Sequence, residues 1–158
     1  MIDKISTAKR QIIQKIVNDE KIKEIINNND IEYSEDLIGQ NVFPYLKIDD
    51  TIQEAKICLG VGIDFLQRIK TNIACKEVQI TFLIVCQNRY LTMDSGYSRT
   101  DILSERLTEI FNWNDYFGFD FDLVSDIEKP FNNQVYTREL VFRTVGNNSM
   151  VNGNRINK

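Results

Sequence analysis

The chain contains no histidine, which removes the commonest general base and a favoured metal ligand from its repertoire. Ser/His/Asp triads, Cys/His pairs and histidine-based metal centres are excluded with it. Cysteine is scarce as well: Cys58, Cys75 and Cys86 make an odd count of three with no CxxC spacing, so neither a zinc set nor a disulfide framework is encoded. Cys58 and Cys86 fall inside apolar, strand-like runs and read as small buried hydrophobes in a reducing compartment. The seven glycines never fall as GxGxxG or as a phosphate-cradling GxxxxGKS/T loop, so nucleotide binding has no foothold. No apolar run approaches the roughly 18 residues of a membrane span. Charges interrupt every apolar stretch of the opening MIDKISTAKRQII, unlike the core of a signal peptide, and the expected place of synthesis is the cytoplasm.

Long runs of one charge are also missing. With 19 basic and 23 acidic residues the formal net charge is -4, and no five like charges are consecutive. A dedicated nucleic-acid binder needs a dense Lys/Arg patch to neutralise phosphates, and this chain has none. A surface past which DNA slides without sticking would tolerate such a balance.

What is present has the profile of an ordinary folded domain. Hydrophobic residues make up 42% and charged residues 27% of 158 residues, enough for one core without staples. From Asp3 to about Asn28, Ile5, Ala8, Ile12, Ile16, Ile22, Ile25 and Ile26 recur at mostly three- and four-residue intervals, which predicts one long amphipathic helix. Asn27, Asn28, Asn29 and Asp30 end it. Between Ile31 and Asp50, a short helix around Ser34 to Ile38 precedes an ordered loop that Phe43 and Leu46 pin to the core, with Pro44 forbidding a regular helix. Thr51 to Val61 alternate as a strand, with a helix the alternative for its first half, and Gly60 and Gly62 mark a bulge or a close backbone approach.

The clearest strand is Glu77 to Gln87. Val78, Ile80, Phe82, Ile84 and Cys86 form its core face, while the other face is apolar only at Leu83 and Val85, as expected of a face half covered or buried against another chain. Ser98, with Asp101 three residues on, is a capping signal for a helix to about Asn112. Its stripe is Ile102, Leu103, Leu107, Ile110 and Phe111. A hairpin follows, Phe119 to Val124 and then Val135 to Val145 after a loop containing Pro130, Asn132 and Asn133. In its second strand Tyr136, Leu140 and Phe142 form one side, and Thr137, Glu139, Val141, Arg143 and Val145 the other. The expected architecture is therefore α+β: a long N-terminal helix and a four-stranded, mainly antiparallel sheet with a second helix on one face, in the order α-β-β-α-β-β. One domain over residues 1–146 and a flexible, Asn-rich tail at 147–158 are expected.

Carboxylates are the remaining candidates for chemistry. Asp120 with Asp122, and Asp49, Asp50 and Glu54 followed by Lys56, could bind Mg²⁺, and the second group loosely resembles the Asp…Glu-x-Lys pattern of metal-dependent nucleases. The acids lie too close in sequence to come from two strands of such a core. Asp120 and Asp122 are more simply the solvent face of an amphipathic strand, guards against edge pairing, or acids lining a channel. Trp113, Tyr116, Phe117, Phe119 and Phe121 read as core packing, since few basic residues interleave them.

The order of elements, with DLIGQNVFPYLKID at residues 36–49, LIVCQ at 83–87 and DSGYSRTDILSERLTEIFN at 94–112, resembles the small neck and tail-completion proteins of tailed bacteriophages. The resemblance covers roughly residues 1–146. It implies a non-enzymatic virion protein without cofactors or bound metal: a ring, commonly a hexamer for a tail terminator, seated between the tail tube and the head connector. Its implied partners are further copies of itself, the tail-tube protein and connector proteins, with DNA passing through the lumen unbound and no membrane involved. Portal adaptor or stopper is the alternative within the same class, and a small Mg²⁺-dependent nuclease the alternative outside it. Ring closure needs a heterologous interface. Leu83, Val85, Glu139, Val141, Arg143 and Val145 are the candidate contact residues, and Asp120 and Asp122 the candidate lumen-facing acids.

Overall fold

Two helices, not one, open the chain. The computed structural model describes residues 2–46, 55–67, 76–112, 115–116 and 119–145, and helix α1 (Ile2–Val17) gives way to helix α2 (Glu20–Ile26). Asp19 causes the division. Its backbone is extended and its Oδ1 accepts the N–H of Ile22 at 3.0 Å, so its side chain starts a new helix where an uninterrupted one would have run past it. The expected single helix is corrected at that residue. Asn27, in the left-handed conformation at φ 49, closes α2 as expected and donates its N–H to the Lys23 carbonyl.

A 3₁₀ turn at Ser34–Leu37 leads to strand β1 (Val42–Phe43), followed by β2 (Ile57–Gln67), β3 (Lys76–Gln87), helix α3 (Arg99–Phe111), β4 (Asp115–Tyr116), β5 (Phe119–Pro130) and β6 (Val135–Val145). The fold class is α+β. Among the described residues the sheet has six strands in the order β1-β2-β3-β6-β5-β4, where four were expected. The four long strands are mutually antiparallel, and the additions are two-residue strands at the two edges, too short to alternate visibly in sequence. β1 runs parallel to β2, which makes the sheet mixed. The strand expected at Thr51 to Val61 starts at Ile57 and continues to Gln67, passing both glycines without a break in register. Gly62 does mark a close approach: a Cβ there would stand 3.1 Å from Leu46 Cγ. The bulge lies elsewhere, between Leu123 and Ser125 in β5.

Helices α1, α2 and α3 lie on one face of the sheet. Ile12, Ile16, Ile22 and Ile26 from α1 and α2, and Leu103, Leu107 and Phe111 from α3, join Ile57, Leu59, Val61, Ile80, Phe82, Ile84, Phe121, Leu140 and Phe142 in one buried cluster. Each such side chain contributes roughly 1.5–3 kcal/mol on leaving water. Phe82 packs at 5.0 Å centroid separation on Phe111 and edge-on at 5.8 Å to Phe142, so three elements are joined by one aromatic triad. Arg99 at the start of α3 is buried and donates from Nε to the Tyr90 carbonyl and from a terminal nitrogen to the Ile25 carbonyl of α2. It thereby caps the C-terminal end of α2, where a positive charge is favoured.

Candidate functional site

Among the described residues, no helix lies on the opposite face of the sheet. The register of β3 with β6 puts Leu83 opposite Glu139, Val85 opposite Thr137, Thr81 opposite Val141 and Gln79 opposite Arg143. β5 adds Ile127 opposite Glu139, Ser125 opposite Val141, and Asp122 opposite Arg143. Because side chains alternate across a strand, Leu83, Val85, Glu139, Val141 and Arg143 all occupy this one face. Asp120 and Asp122 share it, at the β5 side, with Asp120 opposite Val145. The contact candidates and the lumen candidates are therefore neighbours on a single surface.

Among the described residues, only the Phe43–Leu46 segment and Ala55 lie over this face, and only at one end. There Cys58 and Val85 form a small second core with Phe43, Ala55, Leu83 and Val135, and Leu46 covers Gly62. Val85 is fully buried in that contact. Phe43 thus pins its loop as expected, but to the helix-free face; it is Val42 that enters the main core. Leu46 stays 46% exposed.

Beyond this cover the face is half-buried and chemically mixed. Ile127 is 47% exposed and flanks Glu139, whose carboxylate is 4.0 Å from Lys129 Nζ. Arg143 Nε donates to Gln79 Oε1 at 3.0 Å. Rows of apolar side chains separated by paired charges suit protein contact better than catalysis.

A second concavity lies on the helix side, between α3 and β5. It encloses about 810 Å³ and is lined by Asp101, Ser104, Glu105, Thr108, Glu109, Asn112, Leu123, Asp126, Glu128 and Arg138. Arg138 is its centre. Its Nε donates to Asp126 Oδ1 at 2.6 Å, one terminal nitrogen donates to Asp101 Oδ1 at 2.5 Å, and the same nitrogen is 3.6 Å from Glu128 Oε1. The hydrogen bond to Asp126 holds the guanidinium firmly charged against its partial burial. Ser104 Oγ donates to the other Asp126 oxygen at 2.6 Å. The serine therefore faces a carboxylate already engaged by an arginine, which is a poor general base. The remaining acids, Glu105 and Glu109, leave the cleft negative, so it repels phosphate.

Arg138 is a residue of this cleft that the alternation partly concealed. It sits on the apolar side of β6, between Tyr136 and Leu140, and a charge in that position is the sequence signal that something charged must meet it. Asp101 comes from α3, whereas Asp126 and Glu128 stand two residues apart on β5, so spacing connects only the last two.

Among the described residues there is no group of three or more Cys, Asp or Glu side chains arranged to hold a metal ion. The candidate acids Asp49, Asp50 and Glu54, the tail at 147–158, Cys75, Trp113 and Phe117 lie outside the described residues, as do the side chains of Tyr116, Phe119 and Val145. Burial pushes the Cys86 thiol up to about 12, so it is protonated and no nucleophile. No helix of the described residues is long and apolar enough to cross a membrane. A family model named YomW matches residues 11–144, so the chain belongs to the YomW family. No curated protein matches the chain.

Proposed function

We propose that this YomW-family chain is a structural subunit of a tailed-phage virion that assembles into a ring at the head-proximal end of the tail, closing the tail tube and joining it to the head connector. The observation that carries the reading is the helix-free sheet face. One side of the sheet is sealed by three helices, while the other presents Leu83, Val141 and Ile127 between the charges of Glu139, Lys129 and Arg143. A surface of that kind is completed by another protein surface. The prophage-type name of the family agrees with a phage origin, and the acidic balance of the chain agrees with a wall that DNA passes without adhering.

The test is electron microscopy and native mass measurement of the purified chain, alone and with phage tail tubes. The expected result is a closed ring seated on one end of the tube. A ring seated only on the portal would assign the adaptor or stopper role instead. A chain that remains monomeric with tubes and with portal overturns the proposal.

A further inference from the structure

Helix α1 shows solvent a face without a carboxylate. From Ile5 to Asn18 the sequence holds Lys9, Arg10 and Lys15 and no acid. Lys9 is occupied, its Nζ donating to the Pro44 carbonyl at 2.6 Å. Arg10 and Lys15 are exposed, and with about 100° of turn per residue they project about 140° from one another. Thr7, Gln11, Gln14 and Asn18, all exposed and uncharged, fill the arc between them. The face is thus a ridge with a neutral crest and a cation on each flank. Lys15 acts on Asp19 only through space, since that carboxylate is held by Arg106.

The cleft between α3 and β5 has the opposite character. On its helix wall Asp101, Glu105 and Glu109 follow at four-residue intervals, so like charges stack along one side of α3 at mutual cost. Arg138 relieves Asp101, and Arg106 relieves Glu109. Glu105, between them, is exposed and has no cation of its own among the described residues. On the strand wall Asp126 and Glu128 share Arg138 with Asp101, and Glu128, at 3.6 Å, holds the weakest part of it. Each wall therefore keeps negative charge that the monomer does not neutralise, across a space of about 810 Å³.

Within one chain the two surfaces are apart. α1 packs on β1 and β2, α3 packs on β3, β6 and β5, and α2 touches both helices, so ridge and cleft lie toward opposite ends of the strand order. We infer that α1 of one copy docks along the α3–β5 cleft of a second copy, with Arg10 and Lys15 each facing one acidic wall and the neutral crest between them. The partner is a second copy because the chain carries both halves, and a cation on each flank answers an acid on each wall. Such a contact is heterologous. It leaves a free cleft on one copy and a free ridge on the other, so it propagates head to tail and closes as a ring where the rotation allows. It uses no residue of the helix-free face and holds whether or not the chain is a virion protein; a ring of the kind proposed above uses it together with that face.

The experiment is sedimentation of the intact chain at low and high salt, beside two variants at exposed positions. Arg10→Glu with Lys15→Glu spoils the ridge and leaves the cleft, while Glu105→Lys spoils the cleft and leaves the ridge. Each variant alone is expected to associate at least about tenfold more weakly than the wild type, and high salt to weaken the wild type in the same sense. An equimolar mixture is expected to regain pairing of wild-type strength and to stop at two copies, since the native ridge of one variant meets the native cleft of the other. A patch that paired with itself would show no such rescue. If either variant fails to fold, Arg10→Gln and Glu105→Gln, which reverse no charge, take their places. A wild-type chain monomeric up to about 1 mM at low salt, variants that associate as the wild type does, or a mixture without rescue overturns the inference. Ile127→Lys, on the helix-free face, leaves ridge and cleft untouched, so failure of this contact and failure of the sheet-face reading are seen separately.

Discussion

Asp19 performs two tasks with one carboxylate. Oδ1 caps α2 at the Ile22 N–H, and the pair of oxygens receives Arg106 of α3 at 3.1 and 2.6 Å. The hydrogen bond from Arg106 holds its carboxyl below the ordinary value of 3.8, more than offsetting partial burial. A depressed folded-state pKa adds stability that is fully present above the unfolded value and disappears as pH falls through the folded one. Asp19→Ala is therefore expected to cost about 1–2 kcal/mol at neutral pH, the usual scale of a lost cap. Urea unfolding of both proteins from pH 7 downward checks it. The gap between them should hold until the pH falls below about 3.8 and then close, because the wild type loses there what the variant never had. A gap independent of pH would mean that the carboxylate acts through packing alone.

The α3, β5 and β6 elements meet at Arg138, and their arrangement depends on neutralising three carboxylates at once. Arg138→Met keeps the stem and removes the charge. Asp101, Asp126 and Glu128 then crowd without a cation, so the variant is expected to lose about 1–3 kcal/mol at pH 7. Salt screens repulsion among the crowded acids, so the loss should shrink as ionic strength rises, and denaturant midpoints at low and high salt test this. A larger loss at high salt than at low salt would refute the electrostatic account. Elements of this length were legible in sequence because their periods are long enough to count: β3, α3 and β6 lie close to where their alternation or apolar stripe puts them. The division of the first helix has a local signal, the Asp19 cap on the Ile22 N–H three residues on, but the nearly continuous isoleucine period across it concealed the break. The two edge strands were not legible either, because two residues show no period. The cleft was concealed for a related reason: its acids come together only when β5 pairs with β6 under α3.

On the scale of the whole molecule, the candidate contact residues were legible as a set because a strand's alternation is also a statement about which side of the sheet each residue occupies. Leu83, Val85, Glu139, Val141 and Arg143 share one face for that reason, although Val85 is used up inside the chain by Phe43 and Ala55. Alternation could not reveal Ile127, since the bulge at Val124 moves the residues after it by one place relative to those before. Ile127 is the sharpest probe of the face because it is 47% exposed and contributes little to the core. A lysine there would stand opposite Glu139 in register, a favourable neighbour within the monomer, so Ile127→Lys should change the urea midpoint by no more than about 0.5 kcal/mol equivalent. A contact across this face would instead have to desolvate a new charge, which at the centre of an interface costs on the order of 2 kcal/mol or more, some thirtyfold in affinity. Tyr97→Lys, at a residue 65% exposed on the loop before α3, should leave both stability and assembly unchanged. Ring assembly and tube binding are therefore expected to fail in the first variant and persist in the second, with both proteins equally stable. Assembly that survives Ile127→Lys would remove this face as the surface that joins the subunits.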